Sequence, residues 1–247
     1  MICCLSVALS QAQKEIAPPN SRGKTSAEAL RAYGIDLSEP SLLTALSNSN
    51  PKVRVLAAYQ LAAEHDSGAT SAIEGALSRE KDTISRVGLA TALASMHDAV
   101  GEEYLQAACA DPTSPINAVI AAVQMLKILS LPGGGCADNV LHSLDRPADK
   151  DYLNVTVTLF PLIYKQVSSD KESYILTRIQ QLLLDKTKEP AVRLAAGDAL
   201  AQIGDPSSIE AVRAALSQED DPTIRSSLEM NLNVLEKKQQ SLDAKNP

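Results

Sequence analysis

His65-Asp66 and His97-Asp98 have the widest chemical reach of any residue pairs in this 247-residue chain. An imidazole beside a carboxylate can hold a metal ion or move protons near neutral pH. The two pairs stand 32 residues apart, so stacked repeats of that length would bring them to one edge. The equivalent place further along is Gly204-Asp205. Glycine there marks a helix-ending residue in the left-handed conformation, which histidine also tolerates. The pairs are therefore read as caps, and no third ligand of matched spacing accompanies them. Neither a metal nor a cofactor is expected, and His142 reads as a lone surface or satisfied core histidine.

Weaker chemical signals resolve in the same way. "RGKTS" at 22 to 26 is similar to the end of a phosphate-binding loop, but the upstream glycine is missing, Pro18 stands in its place and no strand precedes it. Thr25 and Glu28 read better as a capping box for a first helix. "GGG" at 133 to 135 is a flexible loop between repeats, and Asn154-Val155-Thr156 is a chance sequon in a helical setting. No Ser-His-Asp order and no glycine fingerprint is found, so no catalytic residue is assigned and the chain is not expected to be an enzyme.

Composition sets the frame for these residues. The chain is 45% hydrophobic with one Phe, no Trp and six Tyr, so its core must be built from Ala, Leu, Val and Ile. Small side chains let helices approach closely, and Ala and Leu favour helix. A formal charge of -7 is the wrong sign for wrapping a nucleic acid, and there are few aromatic platforms on which bases could stack. "MICCLSVALSQA" at 1 to 12 reads as a signal peptide cut before Gln13, although no basic residue precedes its apolar run. Export to a secreted or periplasmic location follows from that reading, and a cytoplasmic one if the run is not a signal. Removal of the signal would leave Cys109 and Cys136, either as a disulfide or as two free thiols. No later run has the length of a membrane span.

The elements that must position all of this come from a repeat. "NPKVRVLAAYQLA" at 50 to 62 is echoed by "EPAVRLAAGDALA" at 189 to 201 and by "DPTIRSSLEMNL" at 221 to 232. With Arg54 as marker, equivalent positions are Arg86, Asn117, Asn154, Arg193 and Arg225, at separations of 32, 31, 37, 39 and 32. Each unit has room for two short helices and two turns. Pro51, Pro190 and Pro222 suit a first helical position, and Val53, Ala57 and Leu61 share one face at helical spacing. An Arg in the first turn opposes the helix dipole and calls for an acidic or carbonyl partner. Glu80, Asp111 and Glu219 lie six residues before their markers and are the expected acceptors, which would make a structural ladder of Arg54, Arg86, Arg193 and Arg225. The alternative is an exposed Arg row that binds an anion.

The pattern Asp/Asn/Glu-Pro-x-Val-Arg-x-x-Ala-Ala-x-x-Leu, followed by Ile-Gly-Asp and Ile-x-x-Val-x-x-x-Leu, resembles a HEAT repeat. It is most similar to the short bacterial type also found in phycobilisome lyase subunits. The match is strong at 40 to 98 and 187 to 235. In between, Asn117 and Asn154 replace Arg, and the β-branched "NVTVTLFPLIYK" carries Pro161, expected to bend its helix. The resemblance implies an all-α fold, a right-handed α-solenoid of about five to six stacked helical hairpins. Its Val-Arg helices would line a concave surface suited to a protein or peptide partner. Some HEAT-type hydroxylases carry His-Glu pairs on helices, whereas this chain has His-Asp in turns.

The expected organisation is a signal at 1–12, an N-terminal segment with a capping helix at 13–37, the solenoid at 38–239 and a polar tail at 240–247. The leading function is a non-catalytic protein-binding scaffold, with Tyr59, Asp198 and Glu229 expected as exposed contact residues. An accessory subunit of an enzyme, lyase-like and presenting a substrate or chromophore, is the alternative, and a purely structural spacer is a third.

Overall fold

The structure, a computed structural model, describes residues 25–64 and 67–244. The proposed signal with Cys3 and Cys4, and the His65-Asp66 pair, lie outside the described residues. All regular structure among the described residues is helical. Two compact units form, one ending at Pro132 and one beginning at Gly133.

The first unit holds α1 (Ser26–Ala32), α2 (Glu39–Ala45), α3 (Pro51–Ala63), α4 (Thr70–Arg79), α5 (Thr83–Ser95), α6 (Ala99–Ala110) and α7 (Ile116–Ile128). The second holds α8 (Ala137–Ser143), α9 (Leu153–Val157), α10 (Phe160–Ile163), α11 (Ser169–Leu184), α12 (Pro190–Ile203), α13 (Ile209–Gln218) and α14 (Pro222–Asp243). Every marker residue falls in the first turn of a helix, in α3, α5, α7, α9, α12 and α14.

Local chemistry fixes these starts. Asn50 accepts from the Lys52 N–H at 3.0 Å, Asp82 from the Ser85 N–H at 2.8 Å, and Asp221 from the Thr223 and Ile224 N–H groups at 2.8 and 3.1 Å. Each satisfies donors that the helix itself leaves unpaired. At α1, the Thr25 N–H donates to Glu28 Oε2 at 2.8 Å and the Glu28 N–H to Thr25 Oγ1 at 3.3 Å, a complete capping box.

The marker helices α3, α5 and α7 are enclosed rather than amphipathic. Val53, Ala57 and Leu61 are buried, but so are Val55, Leu56, Ala58 and Ala62 on the other sides of α3. In α5 every residue from Val87 to Ala94 is buried, and in α7 every one from Ala118 to Gln124. A helix that is apolar all round belongs inside. Little of the length of α3, α5 and α7 is left exposed for a partner. The intervening helices bury a single stripe each, such as Ile73, Ala76 and Leu77 in α4.

The β-branched middle segment differs from the single bent helix expected there. It splits into α9 and α10, with the Thr158 and Leu159 N–H groups reaching back three residues to Val155 and Thr156. Pro161 stands in the first turn of α10, where its missing N–H is harmless. At the chain end α14 runs to Asp243, with Leu235 fully buried and residues 240–244 exposed.

Gly101 shows how closely α6 and α5 approach. A Cβ there would lie 2.5 Å from both the Ala90 carbonyl oxygen and the Ala94 nitrogen, backbone atoms that cannot step aside. Gly101→Ala is expected to cost about 1–3 kcal/mol. Gly135→Ala, with open space around it, should change stability by under about 0.5 kcal/mol. Urea midpoints of the two variants check this.

Candidate functional site: the charged junctions between repeats

Two junctions share an arginine–glutamate pair, although the buried Nε of Arg193, unlike that of Arg54, has no hydrogen-bond partner. Arg54 in the first turn of α3 sends Nε and Nη2 to Glu80 Oε2 at 2.6 and 2.5 Å, and its Nη1 donates to the carbonyls of Asn48 and Ser49 at 2.7 and 3.2 Å. The other oxygen of Glu80 accepts the Lys81 and Asp82 N–H groups, both at 2.9 Å. In the second unit, Arg193 Nη2 lies 3.0 Å from Glu219 Oε2, while Glu219 Oε1 accepts the Asp220 and Asp221 N–H groups, both at 3.1 Å. Both pairs are 26 residues apart, and both glutamates sit in Leu-Ser-x-Glu-x-Asp, at 77–82 and 216–221.

Each glutamate therefore orders its own turn with one oxygen and holds the preceding repeat's arginine with the other. The side chains of Arg193 and Glu219 are only 10% and 9% exposed, and that of Glu80 only 2%. Out of water, such a pair is about neutral against an apolar replacement, but removing one partner strands the other charge.

The expected direction of the ladder needs correcting. Carboxylates come from the turn that follows the arginine, and the preceding turn contributes backbone carbonyls. Arg225 shows the second part alone, with Nη1 donating to the carbonyls of Leu216 and Glu219 at 3.1 and 3.2 Å. Arg86 does not pair with Glu80, which is committed to Arg54. Its guanidinium lies over the Tyr104 ring, 4.8 Å from the centroid, and its buried Nε has no hydrogen-bond partner. Asp111 spends Oδ1 on the Thr113 N–H and hydroxyl, at 2.8 and 2.7 Å, which holds its carboxyl below the usual range.

The expected contact residues part company. Tyr59 is half-buried, with its hydroxyl bonded to Thr91 of α5, and desolvation pushes the phenol up to about 12. Asp198 is likewise half-buried, and its Oδ1 accepts from Ser227 Oγ at 3.0 Å and Asn231 Nδ2 at 2.8 Å, both on α14. Both side chains serve the seam between successive marker helices, which corrects their reading as exposed. The helical projection placed them away from one core face without allowing for the next helix on the opposite side. Glu229 is exposed on α14, 4.0 Å from Arg225.

The one His-Asp turn among the described residues, His97-Asp98, is a cap, as is its Gly204-Asp205 counterpart. His97 ends α5 at φ 61°, and Gly204 ends α12 at φ 72°. Asp98 then accepts the Val100 N–H at 3.0 Å, and Asp205 the Ser207 N–H at 2.9 Å. No group of three or more metal-ligating side chains converges among the described residues. His142 is exposed on α8, and Thr156 of the sequon is fully buried. Cys109 at the end of α6 and Cys136 just before α8 are both buried, and both are disulfide-bonded.

One polar group had no signal in the repeat pattern. Buried Tyr164 donates to Asp205 Oδ2 at 3.3 Å. Desolvation and the Asp205 charge push its phenol upward. Burial works against ionisation of Asp205, but hydrogen bonds from Ser207 and Tyr164 hold its carboxyl below the ordinary value.

Residues 166–233 match the family model described as HEAT repeats. No curated protein matches the sequence. Among solved structures, human deoxyhypusine hydroxylase in complex with glycerol is similar over 87% of this chain and 82% of its own, at 16% identity and a TM-score of 0.41. Among the described residues no helix is long and apolar enough to cross a membrane.

Glu219→Ala is expected to cost about 3–5 kcal/mol by stranding Arg193, against under about 0.5 kcal/mol for exposed Glu229→Ala. Chemical denaturation of both variants tests the difference. Alkali gives a second check, because the folded-state phenols of Tyr59, Tyr104 and Tyr164 all titrate above the ordinary value of 10.0. The unfolded chain loses these protons first, so their stabilisation is complete below about pH 10 and declines as pH rises toward the folded values. Urea midpoints should fall between about pH 9 and about pH 11, and Tyr59→Phe should flatten that fall.

Proposed function

We propose that this chain, which carries HEAT repeats, is a non-catalytic scaffold that holds a protein partner on its repeat surface. One observation carries the reading. Several of the charged side chains are committed to joining repeats: Arg54 with Glu80, Arg193 with Glu219, and Asp198 with Ser227 and Asn231. Groups tied into buried junctions are poor candidates for turnover and good ones for rigidity.

The outward face of α14 is where contact with a partner is best supported. Ser226, Glu229, Met230, Asn233 and Lys237 are all exposed at helical spacing, and Met230 is 61% exposed. A flexible thioether among polar neighbours is an adaptable contact. Glu229 stands in this face, whereas Tyr59 and Asp198 lie half-buried in the seams between marker helices.

A photo-crosslinking residue at Met230, in the full chain expressed in its native host, is expected to yield one discrete protein adduct. The same residue at exposed Ser71 on α4 should yield none. A stoichiometric chromophore or metal ion in the purified chain, with no adduct at 230, would contradict the scaffold reading and favour an enzyme accessory.

A further inference from the structure

Arg86 is a ladder arginine without its carboxylate. It occupies the first turn of α5 as Arg54 and Arg193 occupy theirs in α3 and α12, yet no carboxylate among the described residues pairs with it. The reason is legible in the next turn. Where the intact junctions present Glu80 and Glu219, this one presents Asp111, one methylene shorter and already bonded to Thr113. Twenty-six residues beyond Arg86, the spacing of both intact pairs, stands Pro112.

The cation is not left to water. The ring of Tyr104 supports the guanidinium at 4.8 Å, and Nε is buried and unbonded, as it also is in the paired Arg193, so the missing ion pair is what sets Arg86 apart. Tyr104 itself is only half-buried, as is Arg86. An aromatic face beneath a guanidinium holds it in one orientation and lowers its contact with solvent. Both conditions strengthen a charge-assisted hydrogen bond to an incoming anion. The two intact junctions show which anion the local geometry is built around, a carboxylate.

We propose that Arg86 receives a carboxylate from a bound protein segment, which fills the place that Glu80 and Glu219 fill elsewhere. The inference deepens the scaffold reading and rests on it, by naming the chemistry of the partner. Either a glutamate side chain or a chain-terminal carboxylate supplies that chemistry. The chain's formal charge of -7 does not forbid it, since charges beyond about 8 Å are largely screened at physiological ionic strength.

The test needs no partner, so its outcome is separate from that of the crosslinking experiment. The full chain is titrated at physiological ionic strength with N-acetylglutamate α-amide, N-acetylglycine and neutral N-acetylglutamine amide, following the arginine Nε–H resonances by NMR. The expected result is a saturable shift at Arg86 with one or both carboxylates, none with the neutral amide, and no shift at Arg54 or Arg193. The stronger carboxylate identifies the source as side chain or terminus. In Asp111→Glu, where the chain supplies its own longer carboxylate, the Arg86 shift should fall at least tenfold in apparent affinity. An unmoved Arg86 resonance, or equal shifts at all arginines, would overturn the proposal.

Discussion

A positive charge in the first turn of a helix faces the positive end of the helix dipole, and this constraint organises the repeat junctions. Arg54 and Arg193 satisfy it with a carboxylate from the following turn. That carboxylate cannot do so alone, because it too is withdrawn from water. Glu80 and Glu219 each bond two backbone N–H groups of their own turn, so the charge pair and the turn are stabilised together. The result is a link between repeats that is strict about geometry, and removing either member leaves a charge with nowhere to go.

Packing imposes the complementary demand. The marker helices α3, α5 and α7 are enclosed on nearly all sides, which requires the small side chains of an Ala-rich sequence and, at Gly101, no side chain at all. Polar residues in such a seam must find partners across it, as Tyr59 does with Thr91 and Asp198 with Ser227 and Asn231. Rigidity and enclosure are the physical basis of the proposed scaffold reading, in which the exposed face of α14 around Glu229 and Met230 is the proposed contact.

Much of this fold is legible in the chain. The spacing from Arg54 to Arg225 puts each marker in the first turn of a helix, and the prolines and Asn/Asp caps mark the starts. Gly204 identifies the left-handed position that His97 shares. What the pattern hides is directional. Glu80 lies six residues from Arg86 and 26 from Arg54, and sequence proximity favours the wrong partner. Helical projection handles one buried face well and fails for helices enclosed by a neighbour on each side, as at Tyr59 and Asp198. The Tyr164 to Asp205 contact joins an irregular repeat to a cap and has no periodic signature at all.

The most direct measurement is a double-mutant cycle on Arg54→Met and Glu80→Gln, read by urea unfolding of the full chain. If the junction is a coupled architectural pair, the two losses will be non-additive by more than about 1 kcal/mol, and the double variant will be less damaged than their sum. Additivity within about 0.5 kcal/mol would mean that the two residues act independently, and would contradict the account.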